Sequence, residues 1–77
     1  MLFRSLADLL PSQEGQISTI TGIDSIAQRL SEMGFTPGQA VRVIRFAPLG
    51  DPVQVRLRGF NVALRRNEAR RILLTST

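Results

Sequence analysis

The hexapeptide Ala47-Pro48-Leu49-Gly50-Asp51-Pro52 separates two strand-like runs and dictates how they must be joined. Its two prolines hold φ near −65°, Gly50 supplies the positive φ that a reversal needs, and Asp51 is able to bond back to the local backbone. A stiff turn between residues 41–46 and 53–58 therefore follows, and with it an antiparallel hairpin. Leu49 stands where a loop ordinarily presents a polar side chain. Two readings of it stay open: an apolar anchor for a partner, or a cover folded back over the open end of a small barrel.

The flanking runs differ in clarity. Val53, Val55 and Leu57 point one way, and Gln54, Arg56 and Arg58 the other, as in a half-buried strand. In residues 40–46 the alternation is blurred, because Val43 and Ile44 are neighbours and Phe46 shares the parity of Ile44. Such a strand is central, or coils sharply enough to serve two sides of a barrel, and the face of Arg42 stays open. Gly59 marks a bulge or tight bend. Beyond it Phe60, Val62 and Leu64 form an inward set opposite Asn61, Ala63 and Arg65.

Upstream, residues 15–21 alternate as a first strand carrying Ile17 and Ile20. Residues 24–33 read as the principal helix, with Ile23, Ile26, Ala27, Leu30 and Met33 on its core face, Asp24 as N-cap and Gly34 in the left-handed C′ position. Phe35-Thr36-Pro37-Gly38 reads as a turn. Residues 67–70 make one helical turn capped by Asn67, residues 72–74 a last strand, and residues 75–77 a frayed tail. In residues 1–10, Leu2, Phe3, Leu6, Leu9 and Leu10 fall in a helical stripe about 120° wide. That segment is too short to stand alone, so it lies on its own core or on another protein.

The order is β-α-β-β-β-turn-β: a mainly β fold with one α-helix, in the form of a small, partly open SH3-like barrel. Residues 1–77 make a single domain, whose core is thin at this length. No apolar run approaches the roughly 20 residues that cross a bilayer, and Arg4, Ser5 and Asp8 break up the apolar N-terminal residues.

The chain has no cysteine and no histidine, which removes disulfides, thiolate metal sites, and the commonest general base and transition-metal ligand. The acids Asp8, Glu14, Asp24, Glu32, Asp51 and Glu68 are scattered, and none has the i, i+3 or i+4 partner that presents two carboxylates to one metal. No phosphate-binding loop surrounds Gly50. These absences argue against an enzyme, a bound cofactor and a tight iron site. All ten basic residues are arginine and the net charge is +4. Guanidinium groups suit carboxylate or phosphate contacts, although a coding bias toward arginine gives the same composition.

Three blocks together resemble the FeoA family: Gly34-Phe35-Thr36-Pro37-Gly38, Ala47 through Pro52, and Arg58-Gly59-Phe60 with the following Ala63-Leu64-Arg65-Arg66-Asn67-Glu68-Ala69. Ser5-Leu6-Ala7-Asp8-Leu9 and the strand after Gly15 look similar too, so the resemblance spans essentially the whole chain. It departs where Ser12-Gln13 follow Pro11, a turn in which the family usually has glycine. The resemblance implies an SH3-like barrel in the bacterial cytoplasm, serving ferrous iron uptake through FeoB, a membrane permease with a cytosolic GTP-binding domain, which would recruit it to the inner membrane. A similar domain ends the diphtheria-toxin-repressor-type metalloregulators, but their helix-turn-helix region has no counterpart here.

The partner-binding expectation rests on Pro48, Leu49, Gly50 and Asp51 at the hairpin tip, with Arg56, Arg58 and, depending on its face, Arg42 as a basic surface for an acidic partner. Against these residues stands the simpler reading of a solvated strand face. Nucleic-acid binding is the alternative class. It is disfavoured because the aromatics are all phenylalanine, with Phe3, Phe46 and Phe60 assigned to packing rather than to base stacking. An SH3 groove for proline-rich peptides lacks the tyrosine and tryptophan it needs.

Overall fold

A computed structural model describes residues 4–75. Strands β1 (Arg4–Ser5), β2 (Glu14–Ile20), β3 (Ala40–Phe46), β4 (Val53–Leu57), β5 (Phe60–Leu64) and β6 (Ile72–Leu74) form one sheet in the order β1-β6-β2-β3-β4-β5. Every pairing is antiparallel, and β1 and β5 remain as unjoined edges, so the barrel is partly open. Arg4 pairs with Leu74, which brings the two ends of the described chain side by side. The mainly β architecture matches the expectation from sequence.

Helix α1 (Ser25–Met33) covers the barrel and illustrates how its sequence sets its ends. The Asp24 carboxylate accepts from the Ala27 backbone N–H at 3.2 Å, satisfying a donor the first turn leaves free. At the other end Gly34 adopts φ +113°, Gly34 N–H donates to Ser31 O (3.1 Å), and Phe35 N–H donates to Leu30 O (3.2 Å). That is a Schellman cap, and it drives Phe35 into the core, where it is fully buried. Ala27 and Leu30 face inward as expected. Ile23 does not: it is fully exposed one residue outside the cap, where the extended backbone has left the helical wheel. Met33 is partly exposed, at the rim of the covered face.

The blurred alternation of β3 has a local cause. The register with β4 slips between Val43 and Arg45, so Val43 faces Val55 while Phe46 faces Val53. A bulge at Ile44 lets Val43 and Phe46, of opposite parity, both turn toward the core. Ile44 is left exposed and Arg42 lies on the outer face. The strand is central as well as bent, lying between β2 and β4.

Residues 4–10, the described part of the expected helical stripe, do not form a helix. Leu2 and Phe3 lie outside the described residues. Arg4–Ser5 pair with β6, and Leu6–Asp8 make a single 3₁₀ turn, closed by Ser5 N–H donating to the Asp8 carboxylate at 2.9 Å. Leu6 and Leu9 still reach the core, because a tight turn against the sheet buries them as well as a helix would. Thr75, expected to fray, donates its N–H to Gln16 O at 2.8 Å. At Ser12 the backbone takes φ +77°, the left-handed conformation that glycine adopts most easily, so this serine stands in for the expected glycine.

Helix α2 (Arg66–Ala69) is one turn long. Asn67 is inside it, not its cap. The Glu68 carboxylate accepts from Arg65 N–H at 2.9 Å at the start of the turn, and its other oxygen pairs with Arg29 of α1. Glu68 is buried, and this ion pair ties the two helices together.

Candidate functional site

The β3–β4 turn is fixed from within and from outside. Gly50 N–H donates to Ala47 O at 2.7 Å, closing a turn whose central residues are Pro48 and Leu49, and Ala47 N–H donates to Pro52 O at 3.0 Å beneath it. Gly50 has φ +88°, and the Asp51–Pro52 peptide bond is cis. Leu49, at the apex, is 96% exposed, so of its two readings the cover over the barrel end is excluded.

The outer support comes from a residue that the sequence reading did not single out. Arg66 donates through Nε to Gly50 O (3.2 Å) and through Nη1 to Ala7 O (3.2 Å), and its guanidinium lies over the Phe46 ring, 5.1 Å from the centroid. Asp51 does not fold back on its own loop. Its carboxylate accepts from Arg66 N–H at 3.0 Å, supplying an acceptor to the first residue of α2. The tip is thereby bound to α2 and to the N-terminal 3₁₀ turn. Beside it, Arg45, Phe46, Ala47, Pro48, Pro52 and Gln54 line a hollow of about 420 Å³. The only sign of Arg66 in the sequence is the Arg65-Arg66 pair just before a helical turn, which does not say what either residue touches.

The six site residues expected from sequence fall into two groups. Pro48, Leu49, Gly50 and Asp51 are together at the tip. Arg56 and Arg58 lie toward the other end of β4, with Arg58 roughly 16 Å from Val53 at the usual rise per strand residue. Arg58 and Gly59 form the β4–β5 turn, both with positive φ (54° and 85°), so Gly59 makes a tight reversal. Arg56 is directly opposite Arg42 on β3 and donates to Asn61 Oδ1 at 3.3 Å. Arg42 is in turn opposite Glu14 on β2. Phe60 corrects the inward assignment: it is 73% exposed, since the reversal at Gly59 lifts the first residue of β5 off the core.

Among the described residues, no three acidic side chains gather in a way that would hold a metal ion. No helix among the described residues is long and apolar enough to cross a membrane.

Comparison with known proteins follows the same line. The FeoA domain model matches residues 4–76. The chain is 37% identical over 67 residues to the Fe(2+) transport protein A/Fe(2+) transporter FeoB fusion protein of Porphyromonas gingivalis, a match covering 87% of this chain and 8% of that protein. The crystal structure of Stenotrophomonas maltophilia FeoA complexed with zinc, described as an SH3 domain protein, superposes with a TM-score of 0.84 at 30% identity, covering 94% of this chain and 89% of the other. A manganese-dependent transcriptional repressor superposes with a TM-score of 0.86 at 18% identity, over 100% of this chain and 38% of the repressor, which is a likeness of fold alone.

Proposed function

The chain belongs to the FeoA family, and from that premise we propose that it is a non-enzymatic accessory protein of ferrous iron uptake, docking from the cytosol on a FeoB-type permease. The observation that carries this reading is the Leu49 tip: an apolar side chain held almost fully in solvent by a loop whose conformation is set in advance. Folding gains nothing from that exposure, whereas an interface gains a large apolar side chain that loses little freedom on binding. The joining of a FeoA-like segment and a FeoB transporter in one P. gingivalis polypeptide supports permease as the partner.

The reading needs no chemistry from this chain. A chain without histidine or cysteine, whose carboxylates are dispersed among caps and surface positions, leaves GTP hydrolysis and ion passage to the permease. What the accessory protein contributes is differential affinity: it shifts the permease toward whichever state it binds more tightly.

Co-purification with the detergent-solubilised permease, and with its GTP-binding domain alone, tests the proposal. Leu49→Ser should lose most of the captured protein while the melting temperature stays within about 2 °C, as for an exposed substitution. Equal capture by Leu49→Ser and the parent protein would reject the tip as anchor, and no capture by either would reject the docking itself.

A further inference from the structure

The far end of β4 carries a second unsatisfied surface. Met33, Leu57, Arg58, Phe60 and Val62 line a hollow of about 450 Å³ between the end of α1 and β5. Phe60 and Met33 present apolar surface there to water. Arg58 also borders the adjoining hollow, which Arg42, Arg56, Gln39 and Glu14 help to line. The apolar and basic areas are therefore one continuous surface, with Arg58 at the junction.

Its electrostatics are unbalanced. Arg42 and Arg56 are directly opposite each other on neighbouring strands, an arrangement in which like charges repel. The ion pairs among the described residues are Arg29–Glu68 and Arg71–Asp24, so Arg42, Arg56 and Arg58 take part in none. Glu14 is the lone carboxylate in the lining. Arg58 is also held in place: its backbone is fixed in the turn, and its stem lies against Gly34, where an added Cβ would come within 3.3 Å of Arg58 Cδ.

We propose that this surface receives an acidic segment of a partner protein, which places one large apolar side chain between Met33 and Phe60 while neighbouring carboxylates meet Arg58, Arg56 and Arg42. Charge complementarity selects the partner, and the apolar hollow sets its register. A second copy of this chain would bring arginines against arginines across a twofold contact. Single-stranded nucleic acid fits less well, because one exposed ring beside the aliphatic Met33 and Val62 gives no run of stacking platforms, and Glu14 opposes a continuous phosphate track. The surface is separate from the Leu49 tip, so the inference stands or falls independently of docking there.

Backbone-amide NMR titration of the whole chain decides it. The probe is a synthetic peptide with a central phenylalanine flanked on both sides by glutamates. Saturable shifts are expected at the amides of Met33, Arg56, Arg58, Phe60 and Val62. Phe60→Ser and Arg58→Asn should each weaken the affinity about tenfold, and Leu49→Ser should leave it unchanged. Asparagine is chosen at position 58 because it tolerates positive φ, and both positions are exposed, so each variant should keep the parent spectrum. The inference is overturned if these amides do not shift, or if a peptide with lysine for glutamate or alanine for phenylalanine binds equally well. It is also overturned if oligothymidylate binds this surface more tightly than the peptide, or if concentrating the protein alone produces the same shifts.

Discussion

The two ends of β4 reverse the chain by different means. At Arg58-Gly59 consecutive residues of positive φ make the turn, and among the described residues its one support from outside β4 and β5 that the geometry shows is the packing of the Arg58 stem against Gly34. At the Leu49 tip the local hydrogen bonds are supplemented by Arg66, which reaches Gly50 and Ala7 from a different part of the chain. A two-residue turn has almost no internal freedom, whereas a six-residue connection keeps much of its own unless something else removes it. In this loop the remote tie from Arg66 adds to the restriction that Pro48, Pro52 and the internal hydrogen bonds already impose.

The largest expected effect follows from cutting that tie. Arg66→Ala removes two hydrogen bonds from a charged donor and the contact over Phe46, and should cost about 2–3 kcal/mol. For a domain of this size that corresponds to a fall in melting temperature of roughly 10–15 °C, readable by circular dichroism. Arg66→Lys should recover only part of it, since an ammonium does not reproduce the planar fork. A loss below the error of the measurement would mean the tip holds its shape unaided, and the contrast between the two ends would vanish.

The backbone itself gives the next test. Gly50→Ala and Gly59→Ala both force a Cβ onto positive φ and should each cost about 1–2 kcal/mol in denaturant unfolding. The space around both positions is open enough that conformation dominates, with Arg66 Nη2 4.0 Å from an added Cβ at Gly50 and nothing within 4 Å at Gly59. Similar losses would confirm that side-chain support is the real difference, and a much greater loss at Gly50 would show that the turn backbones are not equivalent.

Acid probes a point remote from both ends. Arg71 Nη1 donates to the Asp24 carboxylate at 2.5 Å, and this bond, followed by that from Ala27 N–H, holds the Asp24 carboxyl below the usual carboxylate range. The stability it adds is therefore present above about pH 4, and is lost as the pH falls through the lowered folded-state value. Asp24→Asn keeps a good N-cap but should flatten this acid limb of the stability–pH curve, whereas Arg66→Ala should lower the curve throughout. The smallest change concerns Ser12. Ser12→Gly relieves a non-glycine residue at φ +77° but frees the unfolded chain, for a net gain of roughly 0.5 kcal/mol in chemical denaturation.

The contrast also divides what could be read from the sequence. The tip was legible because Pro48 and Pro52 fix their own φ and Gly50 is free to take the positive φ a reversal needs, and the Gly34 cap and the inward set of β4 were legible from equally local cues. Arg66 was not, since its partners Gly50 and Ala7 are distant along the chain and nothing local distinguishes it from the other nine arginines as the donor of those bonds. Phe60 and Ile23 show how periodicity misleads at element ends: the apolar repeat continues for one residue after the geometry that would bury it has stopped. Residues 4–10 failed differently. Their apolar spacing suited a helix, but the free edge of β6 offered Arg4 and Ser5 backbone partners that a short isolated helix has no means to match.

The pairing of Arg4 with Leu74 has a mechanical consequence. In a longer polypeptide, whatever joined on at either terminus would leave from the same spot, so the domain would hang from a single pivot. A tether of that kind raises the local concentration of a neighbour without dictating orientation, and leaves the choice of contact to the surfaces that swing past it.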